Sequence, residues 1–133
     1  IANRLDVPIA IIDKRRPKPN VSEIMNIIGD IKDKNLLIID DIIDTAGTLC
    51  NAANALKERG AKSVRACATH GVLSGPAIQR IEESALEEII LLDTIQLPEE
   101  KQIDKIKVTS VATVFADAIR IIYADKSVSS LFD

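Results

Sequence analysis

Short apolar runs of strand length alternate along this chain with stretches whose apolar residues recur every three or four positions, as on one face of a helix. The strand-like runs are 7–12 (VPIAII), 35–39 (NLLII), 63–69 (SVRACAT), 88–92 (EIILL) and 106–110 (IKVTS). The 35–39 run is almost continuously apolar, which predicts a strand buried on both faces of a parallel sheet. Leu49, Ala53 and Leu56 repeat at helical spacing, and Gly60 supplies a stop. Ala77, Ile78 and Ile81 predict a helix opened by Gly75-Pro76 and running to Glu83. Val114, Ala118, Ile121 and Ile122 form the apolar stripe of a last helix over about 111–124.

Two segments interrupt this rhythm. Residues 13–20 (DKRRPKPN) crowd cations and prolines into an exposed loop, flanked by apolar runs that can pair as antiparallel strands. Residues 96–105 form a polar stretch holding Pro98. Strand and helix alternate from residue 35 onward, so the predicted fold class is α/β, a mostly parallel sheet flanked by helices. The first residues, Ile1 to Leu5, read as the last turn of a helix whose preceding strand is absent. The expectation is therefore of a sheet truncated at its N-terminal edge.

Composition narrows the function. The chain has 133 residues, 47% apolar and 28% charged, with five Gly and five Pro, which is a packed protein of one-domain size. No apolar run approaches the ~20 residues of a membrane span, and no signal peptide is visible, so the expected compartment is the cytoplasm. A net charge of −3 and three aromatics (Phe115, Tyr123, Phe132) argue against a nucleic-acid surface. Cys50 and Cys67, both in apolar context, read as two reduced thiols inside the protein.

The segment that carries chemistry is 36–48, LLIIDDIIDTAGT. A strand leads into two adjacent carboxylates, Asp40 and Asp41, and then into a turn of Asp44, Thr45, Ala46, Gly47 and Thr48 that opens a helix. Ligands of open α/β sheets bind at the carboxyl ends of strands. A small-residue turn entering a helix offers backbone N–H groups to a phosphate, and Gly47 permits close approach. The acids suit sugar hydroxyls or Mg²⁺, and vicinal carboxylates repel each other unless a cation or ligand lies between them. The predicted ligand is a phosphorylated sugar, with the acids for the ring and the turn for the phosphate. His70, the one histidine, reads as a structural hydrogen-bonding residue at a strand end.

The 36–48 stretch resembles the phosphoribosyl-binding loop of the type I phosphoribosyltransferase fold. Its surroundings, IIDKRR at 11–16, IIGD at 27–30, ATHGVLSG at 68–75 and SVSSLF at 127–132, are similar in order to the C-terminal half of the ribose-phosphate pyrophosphokinase family. That resemblance implies residues 1–133 are part of a C-terminal domain, in an enzyme moving the diphosphoryl group of ATP to the 1-hydroxyl of ribose 5-phosphate. It implies Mg²⁺ as cofactor and self-association into a homo-oligomer. It gives Asp40 and Asp41 to the ribose hydroxyls and metal, and Asp44, Thr45, Ala46, Gly47 and Thr48 to the 5-phosphate. Lys14 and Arg16 correspond to the family's catalytic loop, and Ser127, Ser129 and Phe132 to its regulatory site. Other classes stay open: a phosphoribosyltransferase, an inactive synthase-associated subunit, and a receiver domain with Asp93 as acceptor and Thr109 as switch residue.

Overall fold

A computed structural model describes residues 2–15 and 24–132, with the side chains of 14, 15, 24 and 25 outside the description. A short helix, α1 (Ala2–Leu5), precedes two antiparallel strands, β1 (Ile11–Arg15) and β2 (Ile24–Ile28). Then come β3 (Asn35–Ile43), α2 (Gly47–Glu58), β4 (Ser63–Gly71), α3 (Ala77–Glu83), β5 (Glu88–Leu92), β6 (Ile106–Thr109) and α4 (Ala112–Tyr123). Strands β3, β4, β5 and β6 form one parallel sheet in that spatial order, and β1–β2 form a separate ladder. The α/β class, the parallel sheet and the antiparallel pair are as the sequence predicts.

Three boundaries move, each for a physical reason. β1 begins at Ile11 and takes in Asp13, Lys14 and Arg15, paired with Asn26, Met25 and Ile24. Pro8 has no N–H to give a ladder, and an exposed two-stranded ribbon tolerates charged side chains. The basic segment therefore starts inside a strand; residues 16–20 lie outside the described residues. β3 continues past Ile39 to Ile43, because β4 runs on to Gly71 and supplies partners for Asp40 (Ala68), Ile42 (His70) and Ile43 (Gly71). A side chain at Gly71 would displace Leu91, since a Cβ there would lie 2.5 Å from Leu91 Cδ1.

The core lies on one face of this sheet. Leu36 and Ile38 share a face with Val64, Ala66 and Ala68, against which the buried stripe of α2 (Leu49, Ala53, Leu56) and Ala77 and Ile81 of α3 pack. Small alanines on β4 let α2 approach the strand closely. The expectation of a strand buried on both faces fails for β3, an edge strand of the four, whose Leu37 and Ile39 are 52% and 46% exposed. The apolar stripe of α4 also lies open: none of its residues is buried, and Phe115 and Ile122 are among the exposed large apolar side chains. Both thiols are free, Cys50 buried and Cys67 half-buried, and burial pushes each above the ordinary thiol range, which keeps them in the unreactive protonated form.

Candidate functional site

Parallel strands end together, so the carboxyl edge of the sheet collects the chain's polar turns. At the end of β3 the chain leaves Ile43, which is 2% exposed, and turns through residues 44–46 into α2. Ala46 takes the left-handed conformation (φ 58°) and stands at the N-cap position without a side-chain cap. The first N–H groups of α2 therefore gain no partner from an N-cap side chain, and the positive end of a twelve-residue helix faces the same point. Gly47 has no left-handed backbone to explain it. Its missing side chain leaves room for Arg80 of α3, whose Nη1 would lie 3.2 Å from a Cβ at that position.

The turn is braced from the segment that follows β4. The Ser74 hydroxyl donates to the Asp44 carboxylate, and the Ser74 N–H donates to the Asp44 carbonyl at 3.0 Å. The N–H groups of Val72 and Leu73 both donate to the Ile43 carbonyl, at 3.0 and 3.1 Å. Arg80 Nη1 donates to the Thr45 carbonyl at 2.9 Å. Sequence reading missed Ser74 and Arg80 as members of this site. Their signal is topological: a right-handed β–α–β connection carries the residues after β4 back to the carboxyl edge, beside the preceding turn.

Asp40 and Asp41 fall within β3 rather than at its end. Successive strand residues point to opposite faces, so Asp40 shares the core-facing side with Leu36 and Ile38 while Asp41 lies with Leu37 and Ile39. Strand alternation thus separates the two side chains, and their mutual repulsion gives no argument for an ion held between them. Asp40 Oδ1 also accepts from the Asp41 N–H at 3.0 Å. Among the described residues no group of three or more His, Cys, Asp or Glu could enclose a metal.

The other residues singled out from sequence lie apart. Lys14 sits in β1, paired with Met25 across the small ladder, and Arg16 lies outside the described residues. His70 Nδ1 is 2.8 Å from Thr94 Oγ1, and that hydroxyl spends its one proton on the Thr69 carbonyl at 2.8 Å. Nδ1 must therefore be the donor, which leaves Nε2 as acceptor in the neutral ring. His70 ties the ends of β4 and β5 together, a structural role. Asp93 is held below the ordinary carboxylate range by the Ser110 side chain and the Val111 N–H. It anchors the entry to α4, where Val111 N donates to its Oδ1 at 2.9 Å. At the C-terminus, Ser127 accepts from the Ser129 N–H within a 3₁₀ turn over Val128–Leu131, and Arg4 donates to the Phe132 carbonyl at 2.6 Å.

Known proteins with this sequence pattern decide the family. The model of the phosphoribosyl synthetase-associated domain matches residues 1–133. The chain belongs to that family. It is 67% identical over 132 residues to the ribose-phosphate pyrophosphokinase of Clostridium tetani, covering 99% of the chain and 41% of the relative. It is 65% identical to that of Clostridium perfringens, over 98% of the chain and again 41% of the relative. The fold superposes on a phosphoribosylpyrophosphate synthetase from Mycobacterium smegmatis with a TM-score of 0.84 at 41% identity, covering 93% of this chain and 40% of that one. The chain thus spans about two-fifths of the length of these synthetases. No helix among the described residues is long and apolar enough to cross a membrane.

Proposed function

We propose that this chain provides the ribose 5-phosphate half of a ribose-phosphate diphosphokinase site, in an enzyme that passes the diphosphoryl group of ATP to the 1-hydroxyl of ribose 5-phosphate, giving phosphoribosyl pyrophosphate and AMP. The observation that carries this reading is the turn of residues 44–48 at the carboxyl edge of the sheet, which enters α2 through a left-handed Ala46 that offers no side-chain cap. An anion there gains backbone donors and the helix dipole together. Asp40 and Asp41, the two residues before Ile42 in β3, are assigned to the ribose hydroxyls, each offering its carboxylate as an acceptor.

Phosphoryl transfer calls mainly for positioning and charge neutralisation. The turn fixes the 5-phosphate, the aspartates fix the ring, and the 1-hydroxyl is thereby presented to the diphosphoryl donor. Lys14 and Arg16 close over the developing charge. Mg²⁺ would be held by one of the two aspartates together with substrate oxygens, a donor set that suits its habit of taking one or two carboxylates and keeping the rest of its shell. When bound it supplies neutralisation of the diphosphate charge. On this reading the enzyme is a cytoplasmic homo-oligomer, and its self-association is supported by the open apolar side chains of α4 and by Phe132, 72% exposed. Ser127, Ser129 and Phe132 form part of a regulatory phosphate contact on this reading.

A hybrid in which this chain replaces the matching segment of the Clostridium tetani enzyme gives an assay at full length. Asp41→Asn in that hybrid keeps the shape and removes the charge. Losing a charged acceptor for a ribose hydroxyl costs about 1.5–3 kcal/mol, so ribose 5-phosphate binding by calorimetry weakens at least 10-fold. Unchanged affinity would take Asp41 out of the sugar site.

A further inference from the structure

We propose that Arg80 is a positioning residue for the phosphate turn, fastening the Thr45 carbonyl so that the N–H groups entering α2 stand ready for an anion. The inference deepens the proposed function and rests on it. Three observations carry it. Ala46 holds a left-handed conformation with no side-chain cap, so the N-cap residue does not itself fix the entry to α2. The Arg80 Nη1 donates to the Thr45 carbonyl at 2.9 Å across 35 residues of chain. Gly47 leaves the space that this guanidinium occupies, 3.2 Å from where a Cβ would stand.

The anchor for this brace is itself rigid. α3 is pinned by Ala77 and Ile81, both fully buried. At its C-terminal end Lys105 Nζ donates to the carbonyls of Ile81, Glu82 and Ser84 at 3.1, 2.9 and 2.9 Å, which satisfies groups a helix end leaves unpaired. Ser74 adds a second tie through Asp44. Charge points the same way. Asp44 puts a carboxylate into a turn meant for a phosphate, and the Arg80 guanidinium brings a cation into contact with that same turn. A guanidinium has five N–H donors, so one bond to Thr45 leaves others for charge compensation at the turn.

The test uses the hybrid enzyme with Arg80→Gln, Arg80→Lys and Gly47→Val, read by KM for each substrate, kcat and thermal unfolding. Arg80→Gln is expected to raise KM for ribose 5-phosphate about 10-fold, the size of one lost charged hydrogen bond, with KM for ATP unchanged. Arg80→Lys, which keeps a cation and a donor for the carbonyl, is expected within about threefold of the parent. A general structural loss would move both KM values and the unfolding temperature together. Parent-like KM for ribose 5-phosphate in Arg80→Gln, or a lysine variant as impaired as the glutamine one, overturns the proposal. Should Arg80→Gln not fold, the lysine variant alone decides by the same threshold. If Gly47→Val loses ribose 5-phosphate while Arg80→Gln does not, only the role of Arg80 falls; if neither changes it, the turn is not the phosphate site.

Discussion

Lys14→Ala in the hybrid enzyme is expected to lower kcat about 100-fold or more while KM for either substrate changes much less, the mark of a group that acts mainly on the transition state. The reason is where charge develops. As the diphosphoryl group leaves AMP, negative charge builds on the bridging and equatorial oxygens, and a cation brought to them at that moment is worth far more than one resting in solvent. Lys14 lies in β1, one residue from the cationic pair Arg15 and Arg16, on a two-stranded ladder separate from the sheet that carries the phosphate turn. A small ribbon of this kind can shift as a unit without disturbing the core. Steady-state kinetics against both substrates settles it. An unchanged kcat would leave the cations of this segment as a solvated face of the ribbon.

Gly47→Val should cut ribose 5-phosphate affinity by about 100-fold, comparable to losing backbone donors at an oxyanion site, while the fold survives. The backbone at residue 47 is not left-handed, so a β-branched residue can take its conformation. Space is what valine lacks. Its Cβ would already stand 3.2 Å from Arg80 Nη1 and 4.0 Å from Thr45 Oγ1, and the two methyl groups extend further into the turn. Arg80 must swing away, and the anion loses access to the N–H groups behind it. Calorimetric titration of the parent and variant, with thermal unfolding as a control, reads both effects. Equal affinity in the two would remove the phosphate from this turn.

Much of this was legible in the chain because apolar period encodes which face is buried. The runs at 63–69, 88–92 and 106–110 fall on β4, β5 and β6, and the stripe of Leu49, Ala53 and Leu56 becomes the buried side of α2. Periodicity tells what a residue wants to bury, not what is there to cover it. Leu37 and Ile39 on β3 and Phe115 and Ile122 on α4 are apolar in sequence and open in this chain for that reason. The carboxylates misled in the other direction: Asp40 and Asp41 look like the end of a strand, but the ladder to β4 carries on through them, and strand alternation separates what sequence places side by side. Among the candidate site residues, the turn of 44–48 was visible as a local motif. Ser74 and Arg80 were not, because they reach it from 30 and 35 residues away, through a crossover that no local spacing records.

The most direct measurement is ³¹P NMR of the hybrid enzyme supplied with ATP, ribose 5-phosphate and Mg²⁺, with the unaltered Clostridium tetani enzyme alongside. The proposed function predicts phosphoribosyl pyrophosphate and AMP appearing in equal amounts, with both signals lost when Gly47→Val is introduced. Formation of ADP in place of AMP, or no turnover from the hybrid while the unaltered enzyme is active, would contradict it.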